Sequence, residues 1–276
     1  MSDAARAEVA VERGLVYARV GRDRLELDVY RSPVEDAPVV VYVHGGGWVR
    51  GDRRAEASSR LMPSAQLGVT MVSIDYRLAP GATFPRQLHD VKGALRWLRG
   101  HGESLGLDTR RLGIWGASAG GYLACLAALT ADKPELEGEV GGNLDQPSTV
   151  DAVVDWFGPV DLASSAARSG PEAQLLPFRF EADLLGITDP AQLADRAQGY
   201  SLLDWVHPTA PPFLIAHGDR DRIVSPSESQ ALHYALAHTG VRCDLIQLAN
   251  AGHEDPQFDR PETLALTAGW LRGVLT

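Results

Sequence analysis

Six short apolar runs limit what this chain can fold into: VVVYV at 39–43, VTMVSI at 69–74, RLGIW at 111–115, AVVDWF at 152–157, PFLIAH at 212–217 and CDLIQL at 243–248. Each is near-continuously apolar and rich in β-branched residues, so each requires burial on both faces, as strands of a covered parallel sheet have. The intervening sequence supplies the cover. Over 85–99, Leu88, Val91, Leu95 and Leu98 recur at spacings of three and four, one apolar helix face. The stretch 119–130 has the Ala and Leu content of an enclosed helix. At 226–238 Ser225 stands at the cap, Pro226 in the first turn, and Glu228 completes a capping-box pattern. A last helix runs through Leu264, Ala268 and Leu271. Earlier, LVYARV and RLELDVY alternate as antiparallel edge strands do. The whole predicts an α/β fold, with an eight-stranded, mainly parallel sheet and helices on both faces.

One domain over 1–276 accommodates this pattern. Residues 158 to about 211 depart from it, with many Ala, Ser and Pro and the breaks Gly170-Pro171, Pro177, Pro190 and Pro208. They are expected to form a small cap insertion over the C-terminal edge of the sheet, where α/β folds bind ligands. A net charge of −10 without a basic stripe argues against a nucleic-acid partner. No run approaches a membrane span, and the first twenty residues lack the apolar core of a signal peptide. These absences point to a cytoplasmic chain with no membrane partner, and a homodimer is compatible with them. Cys125 and Cys243, far apart and without metal spacing, are expected as reduced thiols. No His, Cys or carboxylate cluster has ligand spacing, so neither metal nor cofactor is expected.

The chemistry concentrates in Gly116-Ala117-Ser118-Ala119-Gly120, a G-x-S-x-G with a strand before it and a helix after it. That context marks a nucleophile elbow: the serine sits on a strained turn, and its neighbours have no room for side chains. Upstream, His44-Gly45-Gly46-Gly47-Trp48 ends the strand VVVYV. Its glycines bring backbone N–H groups towards a ligand; Gly45 and Gly46 are read as oxyanion donors with Ala119, Gly47 being the alternative. His44 is read as loop support. A base and its acid should follow the serine. His253, in Asn250-Ala251-Gly252-His253-Glu254, follows the last strand, whereas His89, His101, His233 and His238 lie in or beside helices. His217 ends a strand but suits loop support. Asp219 and Asp221 both close that strand, and physics alone leaves the acid open between them. Trp48, Phe84, Trp156, Phe157 and Phe178 are pocket or core aromatics, with Trp48 the strongest substrate-binding candidate.

Taken together, HGGGW at 44–48, DYRLAP at 75–80, GASAGG at 116–121, HGDRDRIV at 217–224 and GHE at 252–254 resemble the α/β-hydrolase superfamily. The resemblance is to esterases related to hormone-sensitive lipase and to the bacterial feruloyl-esterase-like group. It implies Asp221 as the acid, Asp219 as a loop-shaping residue, and Asp75 and Arg77 as structural supports. Ala117 stands where hormone-sensitive-lipase relatives usually carry an acid, and only 43 residues precede HGGGW, so the feruloyl-esterase-like group fits better. The implied function is a serine carboxylesterase acting on a small-molecule ester through Ser118, His253 and Asp221. Two alternatives stand beside it. HGGGW also satisfies the H-G-G-x-W pattern of arylformamidases, which cleave amides with the same triad. Other superfamily members are non-catalytic ligand receptors, but those typically lose a triad member.

Overall fold

The computed structural model describes residues 8–166, 180–189 and 192–276. Eight strands make one sheet: β1 (Ala10–Val20), β2 (Asp23–Arg31), β3 (Val39–Val43), β4 (Thr70–Ile74), β5 (Leu112–Ala117), β6 (Ala152–Trp156), β7 (Phe213–Gly218) and β8 (Cys243–Leu248). They lie in the order β1-β2-β4-β3-β5-β6-β7-β8. The alternating pair β1 and β2 is antiparallel, β2 also meets β4 antiparallel, and all pairings from β4 through β3 to β8 are parallel.

The strands are apolar throughout because both faces are covered. Val39, Val41 and Val43 of β3 belong to one core cluster, while Val40 and Tyr42 belong to the other, as the period of two requires. Three of the four long helices lie on the first face: α1 (Arg86–His101), α2 (Ala119–Leu129) and α3 (Pro226–His238). The fourth, α4 (Pro261–Leu275), covers the other face with Leu264, Ala268, Leu271 and Leu275. Every residue of α2 is buried, which accounts for its Ala- and Leu-rich sequence. The second face also receives Leu61 and Ala65 from a π-helical turn, Ala57–Leu61, that runs into the short helix Met62–Gln66. Two apolar residues one turn apart are too short a signal to be read from sequence.

The start of α3 is as expected at Ser225, whose hydroxyl accepts from the Ser227 amide. Glu228 reaches further than its own helix end: Oε2 accepts from the Val160 and Asp161 amides at 2.7 and 3.1 Å, tying α3 to the segment after β6. The irregular region after β6 contains the short helices Leu162–Ala166, Phe180–Leu185 and Leu193–Arg196. It is tied down by Phe84 N to Leu184 O, Leu202 N to Val160 O, and the Tyr122 hydroxyl to Tyr200 O. Phe178, Pro177, Pro190 and Gly170-Pro171 lie outside the described residues. Cys125 and Cys243 are free thiols. Among the described residues no helix is long and apolar enough to cross a membrane.

Since β3, β5, β7 and β8 are parallel, their C-terminal ends share one edge of the sheet. The loops leaving those ends carry the glycine-rich segment, Ser118, Asp221 and His253.

Candidate active site

Ser118 is the single residue between β5 and α2, and it adopts φ 53° and ψ −123°, a strained conformation for a residue with a side chain. Its amide donates to Trp156 O at 2.8 Å, and its carbonyl accepts from Tyr122 N, so the turn is fastened on both sides. The flanking glycines are steric necessities. A Cβ on Gly116 would stand 2.1 Å from Gly120 O, and one on Gly120 would stand 2.0 Å from Val43 O. Backbone oxygens of a packed helix and strand cannot retreat. Gly120→Ala is therefore expected to lose at least about 3 kcal/mol of stability. Gly269→Ala is the control. That glycine lies in α4, is exposed, and has nothing near its would-be Cβ, so the change should stabilise by about 0.5–1 kcal/mol. Chemical denaturation of the two variants checks the pair.

The structure brings the three chemically suited side chains together. His253 Nε2 lies 2.9 Å from Ser118 Oγ, and His253 Nδ1 lies 2.7 Å from Asp221 Oδ2. Asp221 is fully buried at its side chain, and Oδ1 accepts from the Ile223 and Val224 amides. Burial alone would raise this carboxyl, but hydrogen bonds from His217 and His253, the His253 charge and the Val224 amide hold it well below the ordinary carboxylate range. The Phe157 ring meets the His253 ring edge to face at 4.9 Å. Asp219 does something else: Oδ1 accepts from Asn250 N at 2.6 Å, shaping the loop that leads to His253.

A cavity of about 80 Å³ opens at Ser118, and Gly46, Gly47, Ala119 and His253 share its wall. Gly45 does not. It is buried, with its would-be Cβ 3.4 Å from Ser118 Cβ. Gly46 and Gly47 have φ of 107° and 64°, conformations that favour glycine. Trp48 is on the wall yet only 2% exposed. Its indole N–H donates to Ala119 O at 3.0 Å and its ring packs edge-on against Tyr122 at 5.8 Å, so it joins the glycine loop to the elbow. His44 supports the loop as expected, stacked on Tyr76 with Nδ1 2.8 Å from Gly45 O. Burial lowers its pKa, against the opposing effect of the Gly45 carbonyl.

Asp75 accepts from the Arg53 amide and guanidinium, and Arg77 forks onto Asp90, both away from the cavity. Trp156 and Phe157 are core residues and Phe84 packs against Tyr200. Sequence reasoning missed Phe180, Pro159 and Ile223 on the cavity wall. Phe180 sits in the irregular region where no periodicity points, while Ile223 and Val224 stand in the HGDRDRIV run, whose sequence signal lies in its histidine and carboxylates.

Beneath the elbow, burial raises the Asp155 carboxyl to about 6, with the electrostatic influence of His217 and the Gly158 amide opposing. Its folded value thus exceeds the ordinary 3.8. The stability this group contributes is complete below pH 3.8 and is lost as pH rises through about 6. Asp155→Asn should therefore gain about 3 kcal/mol on the wild type between pH 4 and pH 7, measured by urea unfolding at a series of pH values.

The BD-FAE family model matches residues 27–236, well over half of the chain. The chain belongs to the BD-FAE family. The match contains Ser118 and Asp221 and stops short of His253. This BD-FAE chain is 35% identical over 244 residues to esterase LipC of Mycobacterium tuberculosis, covering 86% of the chain and 58% of that protein. It is 32% identical to esterase LipQ of the same organism, covering 86% and 55%. The BD-FAE chain thus spans little more than half the length of these relatives. Among solved structures, a truncated form of a carbohydrate esterase from gut microbiota matches with a TM-score of 0.84 at 28% identity, over 99% of both chains. An esterase of Pyrobaculum calidifontis matches with a TM-score of 0.76 at 26% identity, over 97% of this chain and 87% of that one. The fold of the BD-FAE chain is the α/β-hydrolase fold.

Proposed function

We propose that this BD-FAE chain is a serine carboxylesterase that hydrolyses small or medium acyl esters through Ser118, His253 and Asp221. The observation that carries the reading is the unbroken line of contacts, Ser118 Oγ to His253 Nε2 at 2.9 Å and His253 Nδ1 to Asp221 Oδ2 at 2.7 Å, opening into a cavity. The esterase names of the relatives support it.

His253 takes the hydroxyl proton as Ser118 Oγ bonds to the ester carbonyl carbon. The Gly46, Gly47 and Ala119 amides receive the charge that develops on the carbonyl oxygen, and a lost donor of this kind typically costs about 3–4 kcal/mol. His253 then gives the proton to the departing alcohol, which leaves the acyl group on Ser118. Water, deprotonated by the same imidazole, attacks the acyl carbon, and the proton returns to Ser118 Oγ as the acid departs. Asp221 fixes the tautomer throughout. The described residues of the segment 158–211 contribute to a cap over this edge, a role supported by Pro159 and Phe180 on the cavity wall.

The test pairs a fluorophosphonate probe with p-nitrophenyl esters of rising chain length, alongside acetylated sugars, feruloyl esters and N-formyl aromatic amides. Labelling at Ser118 and turnover of the shorter esters are expected. No labelling and no ester turnover would refute the reading; turnover of the formamides alone would replace ester with amide chemistry.

A further inference from the structure

Asp221 is held by a second histidine. His217 is the penultimate residue of β7 and is 1% exposed, with Nε2 3.1 Å from Asp221 Oδ2 and also 3.1 Å from Val224 O. Both neighbours are acceptors, so that nitrogen carries a proton. Its other nitrogen, Nδ1, lies 2.7 Å from the hydroxyl of Ser229, a fully buried residue of α3. In the neutral ring Nδ1 is bare and accepts the Ser229 proton, which fixes the tautomer from the far side. Oδ2 of Asp221 then takes two imidazole N–H donors, from His217 and His253, while Oδ1 takes two backbone amides. The roughly four lone-pair directions of a carboxylate are thereby filled.

We infer that His217, locked by Ser229, is a positioning residue of the catalytic acid, fixing the rotation of the Asp221 carboxylate and moderating its pull on the His253 proton. The inference rests on the esterase reading above. Two consequences separate it from simple loop support. A carboxylate that loses one of two donors on the oxygen facing His253 attracts the imidazolium proton more strongly. The base then stays protonated to higher pH, and the acid limb of the kcat/KM profile moves up. A carboxylate free to turn also misaims the imidazole, which lowers kcat with little change in KM.

The other charged and titratable groups around His217 must be kept apart from this effect. Asp155 on β6 interacts electrostatically with His217, Glu228 on α3 and the Cys125 thiol on α2 in turn act on Asp155, and His253 is reached through Asp221. Asp155 falls within the relevant pH range, so the profiles are also measured in an Asp155→Asn background.

The experiment compares His217→Asn, His217→Gln and Ser229→Ala in the full chain. Gln places its amide nitrogen at about the reach of ring Nε2, so it keeps a donor for Asp221; Asn places its own near Nδ1 and does not. For His217→Asn the expected result is a fall in kcat of roughly 10- to 100-fold and an acid limb raised by about half a pH unit or more. His217→Gln should restore the limb to its wild-type position, and Ser229→Ala should move it part of the way. If His217→Asn folds and its acid limb stays with the wild type, the inference is overturned. It is equally overturned if all three variants lose stability and activity together with no movement of the limb. Should His217→Asn fail to fold, Ser229→Ala decides by the same criterion. A wild type that neither hydrolyses esters nor takes the fluorophosphonate probe would refute the esterase reading instead, before any variant is compared.

Discussion

Ser118→Ala is expected to lower kcat by about 10⁶-fold while the protein stays folded. On the proposed mechanism the loss is large because the oxygen that would bond to the acyl carbon is gone, and neither His253 nor the glycine-loop amides can supply another nucleophile at that point. Folding should survive because what fastens the elbow is backbone: the Ser118 amide to Trp156 O and the Ser118 carbonyl from Tyr122 N. Alanine bears the positive φ no worse than serine does, so the stability change should stay near the one hydrogen bond lost to His253, about 1 kcal/mol. Turnover of a saturating p-nitrophenyl ester and a thermal melt make the test. Activity within tenfold of wild type would remove Ser118 from the mechanism.

Asp221→Asn is expected to lower kcat by about 10⁴-fold, while Asp219→Asn costs tenfold or less. The asymmetry follows from the donors. Asp221 receives two amide N–H groups on one oxygen and two imidazole N–H groups on the other. An asparagine accepts on one side only. Its NH₂ must face donors unless His253 turns over its tautomer, and the turned ring presents Nε2–H to Ser118 in place of a proton acceptor. Asp219 needs a single oxygen for the Asn250 amide, and asparagine keeps one. A reversed ranking would assign the acid to Asp219.

Most of the fold was legible because its strands are buried on both faces. VVVYV and CDLIQL match β3 and β8 residue for residue, and AVVDWF exceeds β6 by the single residue Phe157. The site was legible where a short local pattern carries it, as at Gly116 and Gly120. It was less legible where backbone direction decides. Which of three consecutive glycines lines the cavity depends on the backbone path, which composition does not encode. The tie between His217 and Ser229 joins a strand end to a helix interior, and no spacing rule links those positions. The wall contributed by Phe180 comes from a segment without periodicity.

The strand order has a last consequence, for the way this site is lost. Ser118 leaves β5, which is paired on both sides, whereas His253 follows β8, which among the described strands borders β7 alone. An outermost strand opens in local fluctuations that leave the middle of a sheet intact. Warming should therefore uncouple base from nucleophile before the protein melts. Enzymatic half-life, in such an arrangement, reports on the fraying of one border strand and not on the strength of the whole core.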